Sequence, residues 1–326
     1  MSSPIKVAVT GGSGHLGMSL VELLLKQGFL VKALYHSFLP PTKNDNLTWV
    51  KGDIKTSKSA KLLLDECTHV VHCASVVSVE DQFEKRVFDT NINGTQNIIE
   101  ACLAENITRL IHISSSHAVL EPKHNEIFDE SRPYKTQNDY TYPWSKAKAE
   151  QLVINAIGNG LNAIILRPTS IVGPPDSRPS LMGKTLFDMA NGKIPAITSG
   201  GYDIVDVRDL SQTIINSFSN GRSGEIYNTG GAFVPVNKLA QFSNPERKPI
   251  KVSLDILLFI YPFIKIYKRF FKVPWPITKQ SLLALKNAPK RVDSSKAKKE
   301  LNHTCRPIEE TIENLLTWNK KEEENE

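Results

Sequence analysis

Thr10-Gly11-Gly12-Ser13-Gly14-His15-Leu16-Gly17 decides the fold. The stretch follows the apolar run Ile5–Val9. It opens an amphipathic segment in which Leu16, Leu20 and Leu24 recur at i, i+4 and i+8, and Gly28 then stops the helix. Gly11, Gly14 and Gly17 give the spacing G-x-x-G-x-x-G. The first glycine admits a tight turn, the second lets backbone approach a pyrophosphate, and the third lets helix close on strand. The helix N-terminus adds free N–H groups and a partial positive charge. A glycine triplet alone also fits an ordinary strand–helix turn; the strand before and the helix after select the phosphate-binding reading.

Outward from the loop, Leu30–Leu34, Leu47–Lys51, His69–Cys73, Arg109–Ile113 and Leu161–Leu166 read as short, mostly buried strands. Ile92–Leu103 and Tyr142–Ile157 read as helices between them. Alternation of this kind predicts an α/β fold: a Rossmann-type, doubly wound parallel sheet. After Gly173-Pro174-Pro175 the pattern loosens into short helices at Leu181–Ala190, Asp209–Ser219 and Thr278–Lys286 and a strand-like Gly224–Thr229. The expected division is a dinucleotide-binding domain at 1–173, a smaller, mostly helical substrate lobe at 174–319 with one or two segments returning to the core sheet, and a charged, frayed tail at 320–326.

Composition narrows the classes. The chain has 326 residues, 40% of them hydrophobic and 23% charged, which supports a sizeable core and excludes a disordered or collagen-like chain. Cys67, Cys73, Cys102 and Cys305 show no C-x-x-C spacing and are too sparse for a disulfide framework, which fits a reducing cytoplasm. No metal site is expected, because Glu310, Glu313 and Glu322–Glu324 have no His or Cys beside them. His69, His72 and His112 fall inside strand patterns and read as packed histidines. The net charge of +6 is spread too evenly to imply nucleic-acid binding. Neither a secretory leader nor a spanning apolar run is expected.

The second strand ends Leu34-Tyr35-His36-Ser37, without the acidic residue that would take the ribose hydroxyls of NAD. His36 and Lys32 are available to a 2′-phosphate instead, so NADP is favoured over NAD. Asp53 could accept from an adenine amino group with Ile54 against the ring, or could be a turn aspartate. Tyr142-Pro143-Trp144-Ser145-Lys146 places a phenol and an ammonium on one helix face. A phenol with a pKa of about 10 is a poor base near neutrality; correcting that takes about 4 kcal/mol. One cation about 4 Å away supplies an energy of that order. Lys146 therefore converts Tyr142 into an acid/base, and a hydroxyl from Ser114-Ser115-Ser116 at the end of a strand could hold the substrate oxygen.

These motifs, with Val71-His72-Cys73-Ala74-Ser75, Asn91-Ile92-Asn93-Gly94-Thr95, Arg167–Pro174, Asp206–Leu210 and Asp293–Ala297, resemble the extended short-chain dehydrogenase/reductases through most of the chain. The resemblance is strongest to the branch of dihydroflavonol-4-reductase-like and 3β-hydroxysteroid-dehydrogenase-like enzymes. It implies a catalytic triad of Ser116, Tyr142 and Lys146. It also implies His15 and Leu16 under the pyrophosphate, Ala74 and Asn91 near the cofactor, Pro168 in the cofactor site, and Lys146 on the nicotinamide ribose. A homodimer through the Asn91–Leu103 and Tyr142–Ile157 helices is implied too. The chain departs from the family pattern at His36, and at His117 and Leu120.

The expected activity is interconversion of an alcohol and a ketone or aldehyde by hydride transfer. The alternatives are a nucleotide-sugar epimerase or dehydratase that keeps NAD bound, and a non-catalytic NADP sensor. Leu254–Phe271 is apolar and aromatic, with Lys265, Lys268 and Arg269 in its second half. It reads either as a weak membrane-surface contact suited to a lipid or sterol substrate, or as a helix capping the substrate pocket.

Overall fold

Aliphatic residues in the first strands alternate between two buried faces, and that alternation builds the sheet. The computed structural model of the protein describes residues 5–123, 126–270 and 278–325. The chain runs β1 (Lys6–Thr10), α1 (His15–Lys26), β2 (Leu30–Tyr35), β3 (Leu47–Lys51), α2 (Ser57–Leu64), β4 (His69–His72), α3 (Lys85–Ala104), β5 (Arg109–Ile113), a 3₁₀ turn (Ser116–Ala118), α4 (Thr141–Gly158) and β6 (Ala163–Pro168). It continues with β7 (Ser170–Val172), α5 (Leu181–Ala190), β8 (Ala196–Thr198), β9 (Gly201–Asp206), α6 (Val207–Asn216), β10 (Ile226–Thr229), β11 (Ala232–Pro235), α7 (Val236–Ser243), β12 (Ile250–Val252), α8 (Leu254–Phe270), α9 (Lys279–Asn287), α10 (Ser295–Leu301) and α11 (Ile308–Asn325).

Seven parallel strands form the main sheet in the order β10-β6-β5-β4-β1-β2-β3. Val7, Val9, Val31, Val71, Ile111 and Leu166 face one way, under α1, α6 and α10. Ala8, Leu34, Val70, Leu110 and Ile165 face the other, under α2, α3 and α4. The strand order reverses between β1 and β4, and at such a switch point a crevice opens beyond the carboxyl ends of the strands.

The lobe is less helical than its sequence suggests. It contains a β11-β9-β7 sheet and a β12-β8 pair, while β10 leaves it to edge the main sheet beside β6. These strands run only three to six residues, too short for an alternating pattern to stand out. Leu186, Phe187, Leu239, Ile312 and Leu315 form the lobe core. The tail expectation is corrected: α11, anchored by buried Ile312 and Leu315, stays helical through Asn325.

Candidate active site

The three glycines of the loop do different work. Gly11 has φ +67°, and a Cβ there would stand 2.9 Å from the Ala74 backbone, so β1 and β4 meet through it. At Gly17 a Cβ would lie 2.0 Å from the Gly11 carbonyl oxygen, so only glycine lets α1 begin this close to the loop. Gly14 instead lines the cavity, where a Cβ would meet only the Gly11 oxygen at 3.3 Å. It begins α1 with no side-chain cap and no acidic residue in the first turn. The N–H groups there are thus left for an anion, which fits a dinucleotide pyrophosphate. His15 and Leu16 line the same wall, and the His15 ring is fixed by a 2.6 Å hydrogen bond with the Gly173 carbonyl.

A buried relay ties this loop to the next strand. Thr95 Oγ1 donates to the Asn91 carbonyl (2.7 Å), so toward His72 Nε2 (3.0 Å) it accepts, which puts the proton of the neutral ring on Nε2. His72 Nδ1 then accepts from the Thr10 hydroxyl (2.7 Å), which itself accepts from the Ala74 N–H (3.0 Å). Burial keeps this imidazole neutral, its pKa pushed down to about 3. Asn91 is not on the cavity wall, contrary to expectation. Its side chain accepts from Ser75 Oγ and the Val76 N–H and donates to the Val76 carbonyl and Ser145 Oγ, clamping the loop after β4 to α4. Ala74 likewise abuts Gly11, while its neighbours Cys73 and Ser75 face the cavity.

Tyr142 and Lys146 project from the first turns of α4 into the same cavity as Gly11 and Gly14. The Lys146 ammonium donates to the Ile113 carbonyl at the end of β5 (2.7 Å). Burial drags its pKa down to about 8 against the opposing pull of Glu150. The expected depression of the Tyr142 phenol by this ammonium is not found. Burial holds the phenol above its ordinary value, and a hydrogen bond with Ser115 is what pulls it down.

The serine assignment shifts by one. Ser116 starts the 3₁₀ turn and is not on the wall, whereas Ser115 caps that turn, lines the cavity and faces Tyr142. Ser114 is committed to Glu150 (2.5 Å). Glu150, on the same face of α4 one turn beyond Lys146, also accepts from Arg167 Nη2 (2.6 Å) and Tyr134 (2.8 Å), with Glu150 and Arg167 both fully buried.

At the adenosine end, exposed His36 follows β2 and stands 3.8 Å from Asp53. The other expected basic group is elsewhere: Lys32 is buried in β2 and donates to the Asp65 carbonyl, with that carboxylate 3.7 Å away. Ile54 is buried against Gly94 of α3 and gives its carbonyl to Asn97. Pro168 is on the cavity wall.

The cavity measures about 1930 Å³. Its floor is the strand ends; its far walls are Leu186, Met189, Ile197 and Leu239 of the lobe and Leu257 and Ile260 of α8. The pocket-capping reading of α8 is thus found, although Phe271 and the side chains of Lys268 and Arg269 lie outside the described residues. His117, noted from sequence only as a departure, sets its ring 6.3 Å from that of Tyr142. It lies on the cavity wall, exposed to the cavity space, and desolvation by the surrounding protein pushes its pKa down. His69, His72 and His112 are buried, and no metal-binding cluster occurs among the described residues.

A family model described as NAD dependent epimerase/dehydratase matches residues 7–230. The chain is 30% identical over 323 residues to a sterol demethylase protein B of Methylococcus capsulatus, covering 95% of this chain and 97% of that one. It is 26% identical over 352 aligned positions to a 3β-hydroxysteroid-dehydrogenase/decarboxylase isoform 1 of Arabidopsis thaliana, covering 94% and 78%. Among solved structures, that of gox2253 aligns with a TM-score of 0.82 at 25% identity, covering 98% of this chain and 99% of that one.

Proposed function

The chain belongs to the NAD dependent epimerase/dehydratase family and is an NAD-dependent enzyme of the extended short-chain dehydrogenase/reductase type, and we propose that it interconverts an alcohol and a ketone on a large apolar molecule of the sterol class. The observation that carries this reading is a cavity whose floor holds Ser115, Tyr142 and Lys146 while its far walls are aliphatic. Relatives named for sterol demethylation and 3β-hydroxysteroid oxidation support the same class.

A dinucleotide held at the glycine turn would supply the hydride donor or acceptor. His15 and Leu16, the first residues of α1, would present backbone N–H groups to its pyrophosphate. Ser115 holds the substrate oxygen. Tyr142, protonated because burial raises its pKa, gives that oxygen its proton when a ketone is reduced and takes it back when an alcohol is oxidised. Lys146, fixed on the Ile113 carbonyl, supplies positive charge on the same helix face. NAD is the dinucleotide proposed. With Lys32 turned to Asp65, the basic groups left beside the end of β2 are His36 and Lys55, and both face the Asp53 carboxylate, which would repel a 2′-phosphate.

The purified enzyme should form NADH with a 3β-hydroxysteroid and leave UDP-glucose unchanged. Epimerisation of UDP-glucose without turnover of any apolar alcohol would overturn the reading in favour of a sugar epimerase. Titration of NADH against NADPH checks the cofactor, with tighter NADPH binding counting against NAD.

A further inference from the structure

Helix α8 is apolar on both sides. Leu257, Ile260 and Ile264 line the cavity, and Leu254 and Tyr261 are buried, the latter pinned by its hydroxyl to Asp81. Ile256, Phe259, Phe263 and Ile266, spaced three, four and three residues apart, form an exposed row, with Phe259 80% and Phe263 69% exposed and Phe263 also reaching the cavity wall. Five of the fourteen large exposed apolar side chains among the described residues sit on this one helix. A solvated helix ordinarily turns a polar face outward, and contiguous apolar patches on soluble proteins mark interaction sites.

The charge around the row selects the partner. Lys265 is exposed beside it, and Lys268, Arg269 and Lys272 follow in the sequence. The only acidic residue of the helix, Asp255, is already paired with Lys286 at 2.8 Å. A second copy of the same face would therefore bring no free acid to these cations, whereas an anionic lipid surface complements them. No described helix is long and apolar enough to cross a membrane, so α8 would lie in the interface plane.

We propose that α8 docks on an anionic lipid bilayer with Ile256, Phe259, Phe263 and Ile266 buried among the acyl chains, so that one helix separates the membrane from the cavity and an apolar substrate passes between them. The docking stands on the helix alone; the delivery of substrate rests on the function proposed above.

Flotation with phosphatidylcholine vesicles, with and without phosphatidylserine, tests the docking. The protein should rise with the serine-containing vesicles and be released by salt. The double variant Ile256→Glu/Phe259→Glu, at positions off the cavity wall, should lower the bound fraction by about tenfold or more. Native protein that stays unbound with both vesicle types overturns the proposal. So does a self-associated native protein that the double variant converts to monomer without any vesicle binding, which would make the face a contact between copies.

Turnover of a 3β-hydroxysteroid carried in vesicles, compared with the same steroid in cyclodextrin, tests delivery. The double variant should lose the first and keep the second; equal retention of both overturns delivery. Absence of turnover in either form would refute the proposed substrate while leaving the flotation result standing.

Discussion

The floor and the roof of the cavity are built on opposite principles. The floor buries Lys146, Glu150, Arg167, His72, Thr10 and Asn91 and gives each a named partner. The roof, from α5, α7, α8 and α9, is aliphatic and aromatic and is held to the floor side by a few ties such as Asp81 to the Gln280 N–H (2.9 Å). Chemistry needs groups fixed within fractions of an ångström, which a saturated polar network provides. Recognition of an apolar body needs volume and desolvation, which a loosely specified wall provides. The largest test of that division is Tyr142→Phe, expected to lower kcat by about 10²–10⁴-fold, with NADH affinity unchanged in a fluorescence titration. A variant retaining near-native turnover would move the proton chemistry off the floor.

The next effect is on stability. Arg167 and Glu150 form a fully buried ion pair beneath Lys146. Arg167→Leu leaves the carboxylate buried with only Tyr134 and Ser114, and should cost about 3–5 kcal/mol in urea unfolding. A loss below about 1 kcal/mol would show that the floor does not depend on charge pairing.

The floor was the more legible wall because its signals are local. The glycine spacing reports one strand–helix turn and the Tyr142/Lys146 interval one turn of one helix, and both sets line the same cavity. The misses are of two kinds. The residues leave Ser114-Ser115-Ser116 open and the resemblance alone implies Ser116, whereas the start of the 3₁₀ turn at Ser116 decides which hydroxyl faces Tyr142. Lys32 was assigned from its closeness in sequence to His36, but a strand side chain three residues before the strand end follows its own face, here toward Asp65. Glu150 with Arg167, 17 residues apart, and Asp81 with α9, about 199 residues apart, are pairings made by topology, which no periodicity encodes. Short β8, β9, β11 and β12 left no alternating pattern to read.

Titration distinguishes the walls further, because among the described residues the roof offers no comparable buried cation. The folded pKa of Lys146, about 8, lies below its ordinary 10.5. Between those values the unfolded chain holds the proton and the folded chain does not, so stability rises with pH across that window. Below pH 8 the full penalty of a buried charge is present. The rise is worth roughly 3 kcal/mol, and Lys146→Met should flatten it in urea midpoints taken between pH 8 and 10. On the roof, Leu257→Ala should raise KM for an apolar alcohol about tenfold and leave kcat alone; an equal loss in kcat would mean the roof also orients the reacting carbon.

The smallest effect probes a flaw in the floor. His112 lies on β5 opposite His72 of β4, with ring centroids 5.4 Å apart, and among the described residues neither of its ring nitrogens finds a hydrogen-bond partner. Burial, with Lys146 and His72 beside it, pushes its pKa well below the usual value, so the ring is neutral and its unmet nitrogens cost free energy. His112→Leu should therefore stabilise the fold by about 1–2 kcal/mol at neutral pH. The advantage should grow on acidification below pH 6.5 by up to about 1.4 kcal/mol per pH unit, because the unfolded wild-type chain then takes up a proton that the folded one refuses. A variant no more stable than the parent at pH 7, with the same acid slope, would mean that His112 is satisfied in solution. If turnover fell while stability rose, the uncompensated ring would belong to the working floor.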